Sequence, residues 1–143
     1  MRTSRVAVVL PLAFACMANA SADPLRADHP MIGTWRLEIP NSKCAEVYRI
    51  RKDGSAAITS GDEAAETTFT ISDKPSAKGF YKWVVRIAKD NGKKDCSGEI
   101  MQIGQELTNY VNMHPSGAAF LLCEREDINT CLGPVTRQKD GDN

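Results

Sequence analysis

The chain predicts an all-β domain, an up-and-down antiparallel meander of eight or nine strands closed into a barrel. Three observations predict it. From residue 31 to residue 137, apolar and polar residues alternate in short runs, which is the period of a half-buried strand. Turn residues such as Asp53-Gly54, Asn91-Gly92 and Pro115-Ser116 punctuate those runs at close intervals. No segment sustains a helical period. The Ala/Glu-rich stretch 62–67 is too short for a stable helix and runs into β-branched residues. Short links make sequential strands neighbours. An open sheet of that size would carry two exposed edges, and closure removes them. A two-sheet sandwich is the alternative, but it ordinarily needs longer crossovers.

The turns place each strand. The first covers 34–39 and stops at Pro40-Asn41. The second, 45–51, leads into Asp53-Gly54, a dipeptide that favours a tight hairpin. The third, 55–60, ends at Gly61-Asp62, and the fourth, 65–72, ends in Asp73-Lys74-Pro75-Ser76. The fifth, 79–88, is the strongest run and turns through Asp90-Asn91-Gly92. A sixth, 96–103, and a seventh, 106–113, meet at Gly104-Gln105. The eighth, 117–124, follows His114-Pro115-Ser116, and a short final run, 132–137, follows a polar loop. Alternation puts Trp35, Leu37 and Ile39 on one face of the first strand, and Tyr48 with Ile50 on one face of the second. It does the same for Tyr81, Trp83, Val85 and Ile87 in the fifth and for Phe120 and Leu122 in the eighth. These faces point inward.

The flanks read differently. Residues 1–20 look like a secretory signal, with Arg2 and Arg5 before an apolar run broken only by Pro11, then Ala18-Asn19-Ala20 as a small-x-small cleavage site. That run is shorter than the roughly 20 apolar residues that span a membrane. Cys16 sits in a poor lipoprotein context, so the reading is a discarded leader residue, with a lipid anchor as the lesser alternative. Residues 21–31 read as a flexible lead-in, 32–137 as the folded domain and 138–143 as a flexible tail. The expected location is periplasmic or secreted.

Charge narrows the partners. Residues 1–20 hold two arginines and no acid, so 16 basic and 18 acidic residues remain beyond them, a net charge of −2. The charges are interleaved, which speaks against nucleic-acid and membrane-surface roles. Four cysteines remain, Cys44, Cys96, Cys123 and Cys131. An even count in an exported chain implies disulfides, with three possible pairings. Zinc is poorly served, because there is no Cys-x-x-Cys and neither histidine lies beside a cysteine. No metal or cofactor is expected.

Catalytic constellations are thin. His29 and His114 lie beside prolines and near no nucleophile, and no Gly-x-Ser-x-Gly elbow exists. Asp90, Asn91 and Asp95 lack the ligand spacing and terminal glutamate of a calcium loop. A non-enzymatic protein is expected.

Gly33-Thr34-Trp35 opens the first strand. A Gly-x-Trp at that place in an eight-stranded meander resembles the lipocalin (calycin) group, and in particular the compact lipocalin-like domains of small exported bacterial proteins. The resemblance implies that Trp35 closes the narrow end and that Arg137, in the final run, packs over it. The chain departs from typical lipocalins in its short first link, 40–44, and in lacking a large helix before the last strand. Such small domains generally carry no assigned activity, so the resemblance transfers fold better than function. With Trp35 at the bottom, alternating strand directions pair Cys44 with Cys96 across the mouth and Cys123 with Cys131 at the closed end.

Two functional classes follow. One is a binding protein with a small apolar ligand inside the barrel, contacted by Tyr48, Tyr81, Trp83, Tyr110, Phe120 and Leu122. The alternative is a protein-binding module with a filled core, a periplasmic hydrolase inhibitor or immunity protein acting through loops near Cys44–Cys96. An internal cavity above about 300 Å³ favours the first, and a solid interior with a protruding loop favours the second.

Overall fold

The computed structural model describes residues 22–139. Eight strands form in chain order: β1 (Gly33–Glu38), β2 (Ala45–Ile50), β3 (Ser55–Ser60), β4 (Glu63–Ile71), β5 (Tyr81–Asp90), β6 (Glu106–Met113), β7 (Ala119–Cys123) and β8 (Cys131–Arg137). Each pairs antiparallel with the next, and β8 returns to β1, so the sheet is a closed barrel. The predicted signal at 1–20 and the last part of the predicted tail, 140–143, lie outside the described residues.

One predicted strand is absent. Residues 96–103 belong to a long connection, 91–105, between β5 and β6. Asp95 folds that stretch into a turn, its Oδ1 accepting from the amides of Ser97 (2.8 Å) and Glu99 (2.9 Å) and from the Ser97 hydroxyl (2.7 Å). Gly98 sits at φ +85°, in the left-handed region that glycine enters freely. β5 therefore pairs directly with β6, Trp83 opposite Asn109.

Losing one strand reverses the direction of those that follow. Both disulfides form as paired in the sequence reading, Cys44–Cys96 and Cys123–Cys131. The second, however, is not at the closed end. It lies at the start of β8 and the end of β7, at the same end as Cys44–Cys96, because β7 runs toward the mouth instead of away from it. Disulfides are the chemistry of an oxidising compartment outside the cytosol. Among the described residues, no helix is long and apolar enough to cross a membrane.

The closed end is solid. Trp35, Met31, Val111 and Val135 are fully buried, with Phe120 and Leu37 nearly so. Trp35 and Phe120 meet edge-to-face at 4.8 Å, and the Trp35 indole N–H donates to the Met31 carbonyl at 2.9 Å. The Arg137 guanidinium lies 4.1 Å from the Trp35 ring centroid. It also donates to the carbonyls of Pro30 (2.7 Å), Ile32 (2.8 Å) and Gly117 (3.0 Å). Gly33 is required beside it: its φ is +136°, and a Cβ there would stand 2.5 Å from an Arg137 nitrogen.

Residues 21–31, expected as a flexible lead-in, are packed across this end where described. Leu25 N–H donates to the Lys52 carbonyl at 2.7 Å, and His29 and Met31 are buried. Proline and polar residues there shape turns rather than disorder, because the barrel bottom needs a cover. The tail also begins in register, with Gln138 N–H donating to the Thr34 carbonyl at 2.8 Å.

Loop length sets what each disulfide contributes by restricting the unfolded chain. Cys44–Cys96 spans 52 residues and Cys123–Cys131 spans 8, which gives about 4 and about 2.5 kcal/mol in the chain-entropy account. Urea unfolding of the two double Cys→Ala variants should show the larger loss for the Cys44/Cys96 pair. Equal losses would contradict it.

Candidate functional site

The open half of the barrel is not filled. A cavity of about 200 Å³ lies there, lined by residues of β2 to β7 and by Asp95 and Met101 of the 91–105 connection. Tyr48 and Trp83 form its aromatic wall, edge-to-face with centroids 5.9 Å apart. Phe69 backs Trp83 from behind, again edge-to-face, at 6.2 Å. Ile58, Val85, Leu107 and Leu122 add apolar surface. The strand pattern explains this set: Trp83, Val85 and Ile87 alternate with outward residues along β5.

Carboxyl groups complete the lining: Glu46, Glu63 and Asp95. Glu46 and Tyr48 share the inward face of β2, and the Tyr48 hydroxyl donates to Glu46. Ser60 donates to the other Glu46 oxygen at 2.9 Å and accepts from the Cys96 amide at 3.0 Å. The Cys44–Cys96 bridge thereby fixes the hydroxyl that fixes Glu46. Burial and the adjacent Glu46 charge, with their hydrogen bond, hold the Tyr48 phenol well above its ordinary value. Glu63, at the start of β4, is only 4 % exposed. Burial, a hydrogen bond with Asp90, and the charges of Asp90, Asp95 and Glu46 raise its carboxyl to about 7. Asp95 moves the other way: burial opposes its charge, but the donors from Ser97, Glu99 and Gly98 outweigh burial and lower it.

Among the described residues, two buried side-chain polar atoms have no hydrogen-bond partner, Trp83 Nε1 and Asp90 Oδ2. Trp83 itself lines the cavity.

The six ligand-contact residues expected from sequence divide. Tyr48, Trp83 and Leu122 line the cavity. Phe120 instead packs on Trp35 in the solid end. Tyr81 is drawn to the lead-in, where its ring meets His29 edge-to-face at 5.3 Å. Tyr110 is on the wrong face: buried Val111 points inward, so strand parity sends Tyr110 outward, opposite Cys123. Gly33, Trp35 and Arg137 are brought together at the closed end, away from the cavity.

The carboxylate lining was missed by the sequence reading. Parity was the available signal, since Glu46 stands two residues before Tyr48 and Glu63 two before Ala65. His29 is held between backbone groups, accepting from Met31 N–H at 3.2 Å and facing the Ser72 carbonyl at 3.1 Å. His114 does touch a hydroxyl, Ser116 Oγ at 2.8 Å, but within one exposed turn that Ser116 also caps through Ala118 N–H. Among the described residues, no group of three or more His, Cys, Asp or Glu side chains could hold a metal ion. No protein-family model, curated protein or solved structure matches the chain.

Glu63 makes stability depend on pH. Its unfolded value is near 4.5 and its folded value about 7, so the folded state binds the proton more tightly. The resulting stabilisation is complete below pH 4.5 and is lost as pH rises through 7, on the order of 2 kcal/mol. Denaturant midpoints at pH 5 and pH 8 should differ in this direction for the native chain and converge in Glu63→Gln. An unchanged difference in the variant would contradict the assignment.

Proposed function

We propose that this is an exported, non-catalytic binding protein of lipocalin-like architecture that takes one small ligand in the open half of its barrel. The observation that carries the reading is a cavity of about 200 Å³ walled by Tyr48 and Trp83, with the Trp83 indole N–H unpartnered among the described residues. A buried donor without an acceptor costs about 1–3 kcal/mol, and a ligand oxygen would recover that. The volume falls short of the roughly 300 Å³ expected above for the small-ligand class, which limits the ligand to a size below that of drug-like molecules. Cavities near 150 Å³ accept molecules as small as benzene, so an occupant of this one has about eight non-hydrogen atoms. The apolar walls, with a few placed polar groups, match the usual make-up of small-molecule sites.

A second reading keeps support from one feature. Ile100 and Ile103 are 47 % and 71 % exposed on the connection that borders the mouth, as a protein-binding loop would have them. In that reading the partner is a hydrolase or toxin, and the barrel is a scaffold.

The two tryptophans report separately. Trp35 N–H is bonded to Met31, whereas Trp83 N–H is not. In a nitrogen-15 NMR titration with a panel of small neutral and charged fragments, a cavity ligand should move the Trp83 indole signal and leave that of Trp35 in place. If no fragment moves the Trp83 signal, the small-ligand reading falls and the protein-binding reading takes its place.

A further inference from the structure

The cavity has a charge pattern as well as a shape. Three carboxyl groups line it, and among the described residues no lysine, arginine or histidine does. They come from separate elements: Glu46 from β2, Glu63 from β4 and Asp95 from the 91–105 connection. Glu63 is buried and Glu46 and Asp95 are half-buried, and a carboxylate taken out of water is ordinarily paired with a cation. Here the ion pairs of the barrel lie elsewhere, on its exposed outside, as with Arg51–Glu66 and Arg86–Glu106. A positive charge in the cavity would have Tyr48 and Trp83 rings beside it, and aromatic faces attract cations. A bare metal ion does not fit, since among the described residues no cluster has metal-binding geometry. The Trp83 N–H is unpartnered among the described residues, and the ring that carries it lines the same volume.

We propose that the cavity takes a small organic ammonium ion that also carries a neutral oxygen. The ammonium group lies among Glu46, Glu63 and Asp95, and the oxygen accepts from Trp83 Nε1. This rests on the small-ligand reading above and adds the ligand's charge. The upward shift of Glu63 is consistent with it: the carboxyls repel one another when no cation stands between them.

Three isosteric probes separate charge from shape. Choline is an ammonium alcohol, 3,3-dimethyl-1-butanol is its neutral carbon counterpart, and 3,3-dimethylbutanoate is the anionic counterpart. Choline should shift the Trp83 indole signal and bind at least tenfold more tightly than either of the others. Combining Glu63→Gln with Asp95→Asn should erase that preference, so that choline and the alcohol bind alike. Glu63→Gln alone, which leaves the Asp95 turn intact, should erase part of it and guards against misfolding of the double variant. If the alcohol or the carboxylate matches choline, the ammonium proposal is overturned and the cavity remains a ligand site. If none of the three moves Trp83, the proposal is also overturned, and the wider fragment panel decides separately whether the cavity binds anything.

Discussion

Arg137 holds the barrel shut. Every neighbouring strand pair except one is joined over at least four residue pairs, but β1 and β8 meet only at Trp35–Arg137 and Arg36–Thr136. A seam that short would open readily on ladder bonds alone. The guanidinium covers the deficit by stacking on Trp35 and donating to three carbonyls: two from the chain just before β1 and one from the turn before β7. One side chain thus joins the start of the sheet, its end and its cover. Gly33 is glycine because a side chain there would collide with this group.

Closure at that end leaves the opposite end free to differ. The solid half supplies the packing that stabilises the domain, so the open half can hold a cavity and a buried carboxyl, Glu63, that cost stability. The two disulfides lie at that open end and compensate locally. Cys44–Cys96 does more than staple, since it pins the 91–105 connection over the mouth and positions Ser60 against Glu46. Long connections of this kind in compact domains are usually functional.

Much of the architecture was legible in the sequence because most inward positions carry large apolar side chains at strict period two. Trp35, Leu37, Tyr48, Ile50, Trp83, Val85 and Ile87 all obey it. The stretch 96–103 misled because Ile100, Met101 and Ile103 imitate a strand, while what decides its shape is a carboxylate, Asp95, bonding to amides further along. Tyr110 has the aromatic ring and polar tip of a pocket residue, but the parity of β6 decides its face. Glu46 and Glu63 were passed over for the reverse reason: a charged residue is read as solvated, because burying an ionised carboxylate is costly. The fold resolves that cost by hydrogen bonds to Glu46 and by raising the affinity of Glu63 for its proton, neither of which a single sequence displays.

The central dependence is on Arg137, and amide hydrogen exchange resolves it residue by residue. In Arg137→Met, the Gln138 amide, bonded to Thr34 across the seam, should lose protection, together with the β1 amides that face β8. The Phe69 amide, bonded to Gly54 on the far wall, should keep its protection. Selective opening of the seam is the predicted result. Unchanged protection at Gln138 would contradict the account.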